Sequence, residues 1–362
     1  MQVGIVGLPN VGKSTLFNAL TCSYNADAQN FPFCTIEPNT GIVNVADDRL
    51  EKLCKAVKGQ KTIPATVEFV DIAGLVEGAS KGEGLGNKFL SHIRSVDAVL
   101  QVVRAFENSD VHHVSGSIDP ERDREVINLE LILADLETLN KRIADNEKKV
   151  RSNDKEAKKN AEVYEKVKTH LEENKIASTL ELTKDEKKAI ADLHLLTNKP
   201  FIYAVNVAED DLQKSPEELR KILGITDEKI PVLPVSAKME MDMLELSDEE
   251  KKEFLEMAGL DKNPMDEIIK TCYDLLGLQY YFTAGVQEVR AWTIKKGWTA
   301  PQAAGVIHTD FEKKFIKADT VNWQDLVDCG GWSEAREKGK VRMEGKEYIV
   351  QDGDVMLFKF GG

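Results

Sequence analysis

Paired cysteines are missing from this chain of 362 residues. Its five cysteines are scattered and form no C-x-x-C motif: Cys22, Cys34, Cys54, Cys272 and Cys329. Disulfide frameworks and cysteine metal sites need recurring spacings, so we predict free thiols in a reducing compartment. Long apolar runs are missing as well, and the first strand begins at Gln2. We therefore predict no membrane span and no signal peptide, and expect a cytoplasmic protein.

Basic residues are fewer than acidic residues in this chain. The chain has 48 Lys and Arg against 62 Asp and Glu, which gives a net charge of −14. This excludes a uniformly basic nucleic-acid binder, and we predict no DNA partner, although a local basic patch stays open. The length suits two or three domains, and the 42% hydrophobic content suits packed cores. The sequence contains no internal repeat, and it therefore gives no indication of the oligomeric state.

A glycine-rich loop follows the first short strand. Residues 7–14 read G-L-P-N-V-G-K-S, which matches G-x-x-x-x-G-K-[ST]. In this motif main-chain N–H groups cradle phosphate oxygens, the lysine reaches the β- and γ-phosphates, and the hydroxyl binds Mg²⁺. The sequence therefore predicts a nucleoside triphosphate site with Lys13 also acting in catalysis. The predicted contacts are Asn10, Val11, Gly12, Lys13, Ser14 and Thr15.

A D-x-x-G sequence, beginning at Asp71, follows a second apolar strand about sixty residues later. A carboxylate at this strand end can hold Mg²⁺ through water, and the N–H of Gly74 can bind the γ-phosphate. We predict Ser14 and Asp71 as magnesium ligands on this basis.

Two loops have the composition of nucleotide-dependent switches. Residues 30–39, which contain Pro32 and Pro38, are predicted to form a loop, and Thr35 is the predicted magnesium ligand among them. Residues 76–86 hold several glycines and are predicted to form a second switch. A plain surface turn and a flexible connection are the alternative interpretations.

Two later strand ends are candidates for base recognition. In guanine-binding P-loop proteins they carry N-K-x-D and S-A-K. Here they read N-V-A-E (206–209) and S-A-K (236–238). Guanine donates two hydrogen bonds to the aspartate, and Glu209 is one methylene longer, so we predict adenine recognition through backbone groups near Val207. The predicted contacts are Asn206, Val207, Glu209, Ser236 and Ala237.

The usual water-orienting glutamine is replaced by Leu75. We favour His113, because a loop that leaves the carboxyl end of a strand can approach the phosphates. An exposed loop histidine is the plainer interpretation, and Arg94, Arg104 or a partner's residue are alternatives. Asn10 is a candidate K⁺ ligand or a turn-stabilising residue.

After Pro120 the sequence becomes charged and helical. Apolar residues at heptad spacing, with a returning stripe, predict an antiparallel coiled-coil hairpin. The first stripe is Leu129, Ile132, Leu136, Leu139, Ile143 and Val150, with Asn146 at one polar position. Residues 141–170 hold ten Lys or Arg against six Asp or Glu. This net positive tip is a candidate RNA contact, with an ordinary solvated helix face as the alternative.

From about Gln279 the sequence becomes strand-like and aromatic. It contains no catalytic constellation, so we predict a small α+β binding domain. We expect its tryptophans to be core or interface anchors rather than base-stacking platforms.

The chain as a whole resembles the YchF family of Obg-related P-loop NTPases. The motifs that carry the resemblance are G-L-P-N-V-G-K-S-T (7–15), N-F-P-F-C-T-I-E-P-N (30–39), D-I-A-G-L-V-x-G-A-S-x-G-x-G-L-G-N-x-F-L (71–90), N-V-A-E (206–209) and G-D-V-M-L-F-K-F (353–360). The resemblance implies an α/β P-loop G domain (1–118 and 200–278), a helical coiled-coil insertion (119–199) and a C-terminal TGS-like domain (279–362).

The resemblance also implies ATP hydrolysis in preference to GTP, with Mg²⁺, and binding to the ribosome, where we expect the large subunit and RNA as contacts. A GTPase of the same architecture, and a ribosome or RNA adaptor whose nucleotide is mainly structural, are the two competing hypotheses.

Overall fold

The computed structural model describes residues 1–23, 39–72, 84–107 and 117–361. These residues form two compact units. The first unit contains residues 1–23, 39–41 and 68–268 of the described chain, and the second contains 42–67 and 269–361.

The strands, in chain order, are β1 Gln2–Val6, β2 Thr40–Asn44, β3 Thr62–Ile63, β4 Thr66–Asp71, β5 Ala98–Arg104, β6 Phe201–Asn206, β7 Val232–Val235, β8 Leu278–Ala284, β9 Val289–Lys295, β10 Phe315–Asn322, β11 Arg342–Glu344 and β12 Asp354–Phe360. The helices are α1 Lys13–Ser23, α2 Asp48–Val57, α3 Gly84–Ser95, α4 Pro120–Arg151, α5 Lys155–Glu172, α6 Lys184–Ile190, α7 Pro216–Ile222, α8 Ala237–Asp242, α9 Asp248–Met257, α10 Pro264–Leu275, α11 Ala300–Ile307, α12 Thr309–Lys313, α13 Trp323–Cys329 and α14 Trp332–Glu337.

A sheet with the strand order β2-β4-β1-β5-β6-β7 forms the core of the first unit. β1 pairs in parallel with β4 and β5, and β6 pairs in parallel with β5 and β7. All residues of β5 and β6 are buried, as expected for a parallel sheet covered on both faces. The carboxyl ends of parallel strands meet at one edge, so the segments after β1, β4, β6 and β7 converge there.

The predicted antiparallel hairpin is formed by α4 and α5. Asp119 caps α4 by accepting a hydrogen bond from the Arg122 N–H at 3.1 Å. Asn146 is buried and donates to the Ala157 carbonyl at 2.7 Å. Leu129 does not join the predicted stripe and is 45% exposed. The reason is length: α5 has 18 residues against 32 in α4, so the first turns of α4 extend beyond the end of α5.

The second unit contains a mixed sheet with the order β11-β10-β12-β8-β9-β3. β12 pairs antiparallel with β10, and Val355 of β12 pairs in parallel with Phe282 of β8. One face packs against α11 around Tyr281, Phe315 and Phe358. This α+β unit agrees with the class that we predicted for the C-terminal region.

Residues 42–67, which the predicted boundaries count in the G domain, group by their contacts with the second unit, although residues 42–44 of β2 and 66–67 of β4 lie in strands of the first sheet. β3 pairs in parallel with β9, and α2 packs on β8 and β9, so the structure assigns this segment to the second unit. Short-range patterns could not show this, because the pairing joins Thr62 to Val289 across the length of the chain.

Two further predictions concern thiols and membranes. The cysteines within the described ranges, Cys22, Cys54, Cys272 and Cys329, are free. Among the helices of these ranges, none combines the length and the apolar character that crossing a bilayer requires.

Candidate nucleotide site

Two residues of the loop between β1 and α1 adopt positive φ angles. Asn10 and Gly12 have φ angles of 64° and 95°, both in the left-handed region. Gly12 also lies against Asn206, because a Cβ on Gly12 would stand 2.3 Å from the Asn206 Nδ2 atom. A glycine is therefore required at position 12 for both backbone conformation and space.

Asn206 connects the phosphate loop to the segment after β7. Its Nδ2 donates to the Val11 carbonyl at 2.9 Å, and its Oδ1 accepts from the Ala237 N–H at 3.0 Å. Asn206 is 3% exposed, so both hydrogen bonds are shielded from water. The predicted phosphate-binding and base-binding segments are thus held together by one side chain.

Lys13, Ser14 and Asp71 meet beside the loop. The Lys13 ammonium group donates to Asp71 Oδ1, and Ser14 Oγ donates to Asp71 Oδ2 at 3.2 Å. Lys13 is only 8% exposed, so its charge needs this partner or another anion. The three residues predicted to handle phosphate and metal therefore form one cluster, although Ser14 and Asp71 are 57 positions apart.

Ser14 and Asp71 fit a magnesium ion by their chemistry. A hydroxyl and a carboxylate are hard oxygen donors, and Mg²⁺ in such sites also uses water and phosphate oxygens. Within the described part of the chain, no group of three or more His, Cys, Asp or Glu side chains could hold a metal.

The predicted base-side residues lie at the ends of β6 and β7. The Val207 N–H donates to the Val235 carbonyl at 2.8 Å, and the Val207 side chain is 3% exposed. The amide of Val207 is thus already used in the sheet. Glu209 is exposed and lies 3.7 Å from the Lys238 ammonium group. Ser236 caps α8 by accepting from the Met239 N–H at 3.3 Å, and Ala237 is the first residue of that helix.

Glu240 was missed by sequence reasoning. It lies on the helix α8 that begins at Ala237, and it is 2% exposed. One carboxylate oxygen accepts from Asn263 Nδ2 at 3.2 Å, and the other has no hydrogen-bond partner. Burial, opposed by the Asn263 hydrogen bond, raises the pKa of Glu240 to about 7. The only sequence signal was an acidic residue on the buried side of a short helix.

Thr35, Gly74 and His113 lie outside the described residues, so their predicted roles stay predictions. Of the alternatives to His113, Arg104 is fully buried at the end of β5. Its Nε donates to the Phe106 carbonyl at 3.1 Å, and its guanidinium lies 4.6 Å from the Phe106 ring.

Two family models match the chain. The YchF-GTPase_C model, described as a protein of unknown function, matches residues 278–361. The MMR_HSR1 model, described as a 50S ribosome-binding GTPase, matches residues 2–130.

Curated relatives match along nearly the whole chain. The Ribosome-binding ATPase YchF of Bacillus subtilis is 54% identical over 363 residues, which is 99% of each chain. The protein of the same name from Escherichia coli O157:H7 is 54% identical over 99% of each chain. Obg-like ATPase 1 of Gallus gallus is 47% identical over 99% of this chain and 92% of its own.

Solved structures with a similar fold also match along nearly the whole chain. The Schizosaccharomyces pombe YchF GTPase superposes with a TM-score of 0.89 at 40% identity, covering 99% of this chain and 97% of that one. A GTP-binding protein from Pyrococcus horikoshii, with a TM-score of 0.60 and 21% identity over the full length of both chains, shares the fold. Since the identity and the fold both extend along nearly the entire sequence, the chain belongs to the YchF family of P-loop nucleotide hydrolases.

Proposed function

We propose that this protein is a magnesium-dependent ATPase whose nucleotide state controls its binding to the ribosome. The observation that carries the proposal is the cluster of Lys13, Ser14 and Asp71, joined through Val11 and Asn206 to the base-side segment. The names of the bacterial relatives, which describe ribosome-binding ATPases, support the substrate and the partner.

Phosphate binding would exchange the partners of Lys13. Its ammonium group turns from the Asp71 carboxylate to the β- and γ-phosphate oxygens, which replace the anion that a buried lysine needs. Asp71 then becomes free to hold a metal-bound water, while Ser14 is a direct ligand. Ser14 and Asp71 would hold Mg²⁺, which when bound would supply positive charge against the phosphate oxygens. We assign Thr35 as a switch ligand of the metal and Gly74 as an N–H donor to the γ-phosphate.

Adenine preference follows from the altered base motif. An aspartate that accepts two hydrogen bonds from guanine is replaced by Glu209, which lies beside Lys238 instead. The Val207 N–H is used by Val235, so we assign adenine recognition to the Val207 carbonyl and the backbone that follows it. Loss of a bidentate contact costs about 1–3 kcal/mol, which is enough to reverse a preference between two bases.

Hydrolysis requires a group that orients water, since leucine stands where related enzymes carry glutamine. We assign this role to His113, and K⁺ bound at Asn10 would help to neutralise charge on the phosphates. Two measurements test these roles: hydrolysis by His113→Ala against His112→Ala, and hydrolysis in K⁺ against Na⁺. Equal rates within either pair would remove the corresponding role.

The hairpin tip supplies the surface for ribosomal RNA, with the large subunit as the expected contact. Lys148 and Arg151 have acidic neighbours at 3.7 and 3.3 Å. In the described structure the exposed Lys149, Lys155 and Lys159 have no ion-pair partner. Free ammonium groups are what a phosphate backbone needs for counterion release. We keep residues 119–199 as the ribosome-binding arm and 279–362 as a TGS-like module, in a cytoplasmic protein.

Calorimetric titration with ATP and GTP in the presence of Mg²⁺ tests the substrate. We expect ATP to bind more tightly, and tighter GTP binding would replace this proposal with the GTPase hypothesis. Omitting Mg²⁺ should weaken ATP binding, because Asp71 then faces phosphate without a bridging cation.

Lys13→Ala tests the switch. We expect ATP hydrolysis to fall by about two orders of magnitude and ribosome binding to lose its dependence on nucleotide. The control is Lys252→Ala, an exposed lysine of helix α9 whose ammonium group lies 3.9 Å from Glu256. If ribosome binding by Lys13→Ala still responded to ATP, the result would contradict the switch hypothesis and favour the adaptor hypothesis.

A further inference from the structure

The first unit has a cavity at the base of its helical hairpin. The cavity encloses about 620 Å³ between the first turns of α4, the end of α5 with the segment that follows it, and the loop between α7 and β7. Binding sites for small molecules have volumes of about 300–1,000 Å³. None of the described residues of the nucleotide site lines this cavity, so the two sites are separate.

The apolar walls of the cavity are aliphatic. They consist of Val126, Leu129, Ile132, Ile176, Ile225 and Ile230. The Tyr203 ring also lines the cavity, but Tyr203 is 1% exposed and its hydroxyl accepts a hydrogen bond from Asn128 at 3.0 Å. Tyr203 therefore offers little surface on which a flat ring could stack. Branched aliphatic walls of this kind favour a ligand with an aliphatic chain, because burial of such a chain needs no particular ring geometry.

Two arginines near the beginning of α4 line the same cavity. The Nε atoms of Arg122 and Arg124 are buried, and among the described residues neither has a hydrogen-bond partner. The Arg124 side chain is 13% exposed, and its terminal nitrogen donates to the exposed Glu125 at 2.9 Å. A buried donor of a charged group is costly when it is left unpaired. Since a guanidinium group matches a carboxylate through two adjacent N–H groups, these arginines indicate an anionic ligand.

The charge balance of the cavity suits an anion with a single charge. Burial lowers the pKa of His170, so its imidazole is neutral near pH 7. The ionised side chains that line the cavity are three cations and two anions: Arg122, Arg124, Lys175, Glu125 and Asp227. The excess is one positive charge. A carboxylate matches this excess, whereas a phosphate monoester carries a charge of about −1.5 to −2 at pH 7.

We propose that this cavity binds a small aliphatic carboxylate, with its charged end at Arg122 and Arg124 and its chain along Leu129 and the neighbouring isoleucines. The aliphatic walls remove the chain from water, and the arginines fix the position of the carboxylate. The cavity shares no described residue with the nucleotide site, so the proposal does not depend on the proposed function.

Calorimetric titration of the full chain with hexanoate, octanoate and decanoate tests the aliphatic walls. We expect affinity to rise about fourfold for each methylene group that the cavity buries. Decyltrimethylammonium, which has the same chain length as decanoate and the opposite charge, should bind about 10- to 150-fold more weakly than decanoate. Equal affinity along the carboxylate series, or equal binding of the cationic probe, would overturn the proposal.

Arg124→Gln tests the charged end. It should weaken decanoate binding by about 10- to 150-fold, because the ligand loses hydrogen bonds between charged groups. The fold should persist, since the ion pair that is lost joins Arg124 to the exposed Glu125, and urea titration checks this. The matched control is Arg142→Gln, which changes an arginine of the same helix that lies outside the cavity and donates to Asp192 at 2.7 Å. Equal affinities of the two variants would contradict the role of Arg124.

Leu129→Asp tests the position of the chain. Leu129 is 45% exposed and lines the cavity, whereas Leu133 is 42% exposed, lies one turn further along α4 and is not part of the described lining. Leu129→Asp should weaken decanoate binding by more than about tenfold, because it places a like charge beside the ligand. Leu133→Asp, the matched control, should bind as wild type does. Unchanged binding by Leu129→Asp would exclude this cavity as the site.

Competition with ATP separates this site from the phosphate loop. Saturating ATP with Mg²⁺ should leave the affinity for decanoate unchanged, because no described residue is shared between the two sites. Displacement of decanoate by ATP would place the carboxylate at the phosphate loop and refute the proposal. Failure of ATP to bind would concern the proposed function alone, since decanoate binding is measured without nucleotide.

Discussion

The two units of this protein use buried polar groups in different ways. In the first unit Lys13 meets Asp71, and Asn206 spans Val11 and Ala237, all at the edge where parallel strands end. In the proposed function these partners are exchanged, since phosphate and metal take over the same atoms. Polar groups that converge on an open sheet edge are thus available for binding.

In the second unit the main polar network satisfies itself. Asp47 caps α2 and holds Arg49, which also donates to Asp352 at 2.8 Å. The Arg49 guanidinium lies 5.1 and 5.2 Å from the rings of Tyr280 and Phe282. This network secures α2 on the sheet. Changes to it should alter stability without altering nucleotide binding, and the following variants test that contrast.

Gly12→Ala should have the largest effect. A Cβ at this position would stand 2.3 Å from Asn206 Nδ2, and φ is 95°. We expect strain of about 1–3 kcal/mol together with loss of the Asn206 hydrogen bond, and therefore a large fall in ATP affinity measured by calorimetry. Gly277→Ala is the matched control: its φ is 66°, but nothing lies within 4 Å. That variant should lose stability in urea titration and keep its ATP affinity.

Asn206→Ala should come next. It leaves the Val11 carbonyl and the Ala237 N–H buried and without their partner, at a cost of about 2–3 kcal/mol in unfolding free energy. ATP affinity should fall as well, because the loop loses its connection to the base side. Asn128→Ala removes a hydrogen bond to Tyr203 in the same unit and serves as the control. A comparable loss of ATP affinity in the control would contradict the role of Asn206.

Glu240→Gln should change the pH dependence of stability. Burial, opposed by the Asn263 hydrogen bond, raises the pKa of Glu240 to about 7, so the native state binds its proton more tightly than the unfolded chain. Stability from this group is present below the unfolded pKa of about 4.5 and is lost as pH rises through about 7. We expect Glu240→Gln to exceed wild type by about 1–3 kcal/mol at pH 8.

Urea titrations across this pH range measure the effect of Glu240→Gln. The exposed Glu249 on the neighbouring helix α9 provides the control, Glu249→Gln, which should follow the wild-type curve. Parallel curves for wild type and Glu240→Gln would show that Glu240 titrates normally.

Tyr280→Phe should have the smallest effect. It removes the hydroxyl that donates to Asp47 while Arg49 continues to neutralise that carboxylate, so we expect a loss of about 1 kcal/mol in unfolding free energy. ATP affinity should be unchanged, since the network belongs to the second unit. Tyr164→Phe, whose hydroxyl makes a long contact of 3.4 Å in the first unit, should cost less. A fall in ATP affinity on Tyr280→Phe would break the contrast between the units.

The sequence determined those parts of the protein that depend on local chemistry. The glycine spacing of residues 7–14 defined the phosphate loop, and the apolar periodicity of residues 129–171 predicted the hairpin. Strand ends at Asp71, Asn206 and Ser236 could be placed together, because parallel strands bring their carboxyl ends to one edge.

Only the tertiary structure decided what depends on contacts between distant segments. Pairing of Thr62 with Val289 moved residues 42–67 into the second unit, and no local pattern encodes that pairing. Burial gave Glu240 its raised pKa, and cross-strand register placed Lys317 opposite Lys359. The sequence directly gives the type and spacing of the side chains. The desolvation of ionisable groups and the register of paired strands arise only when remote parts of the chain pack together.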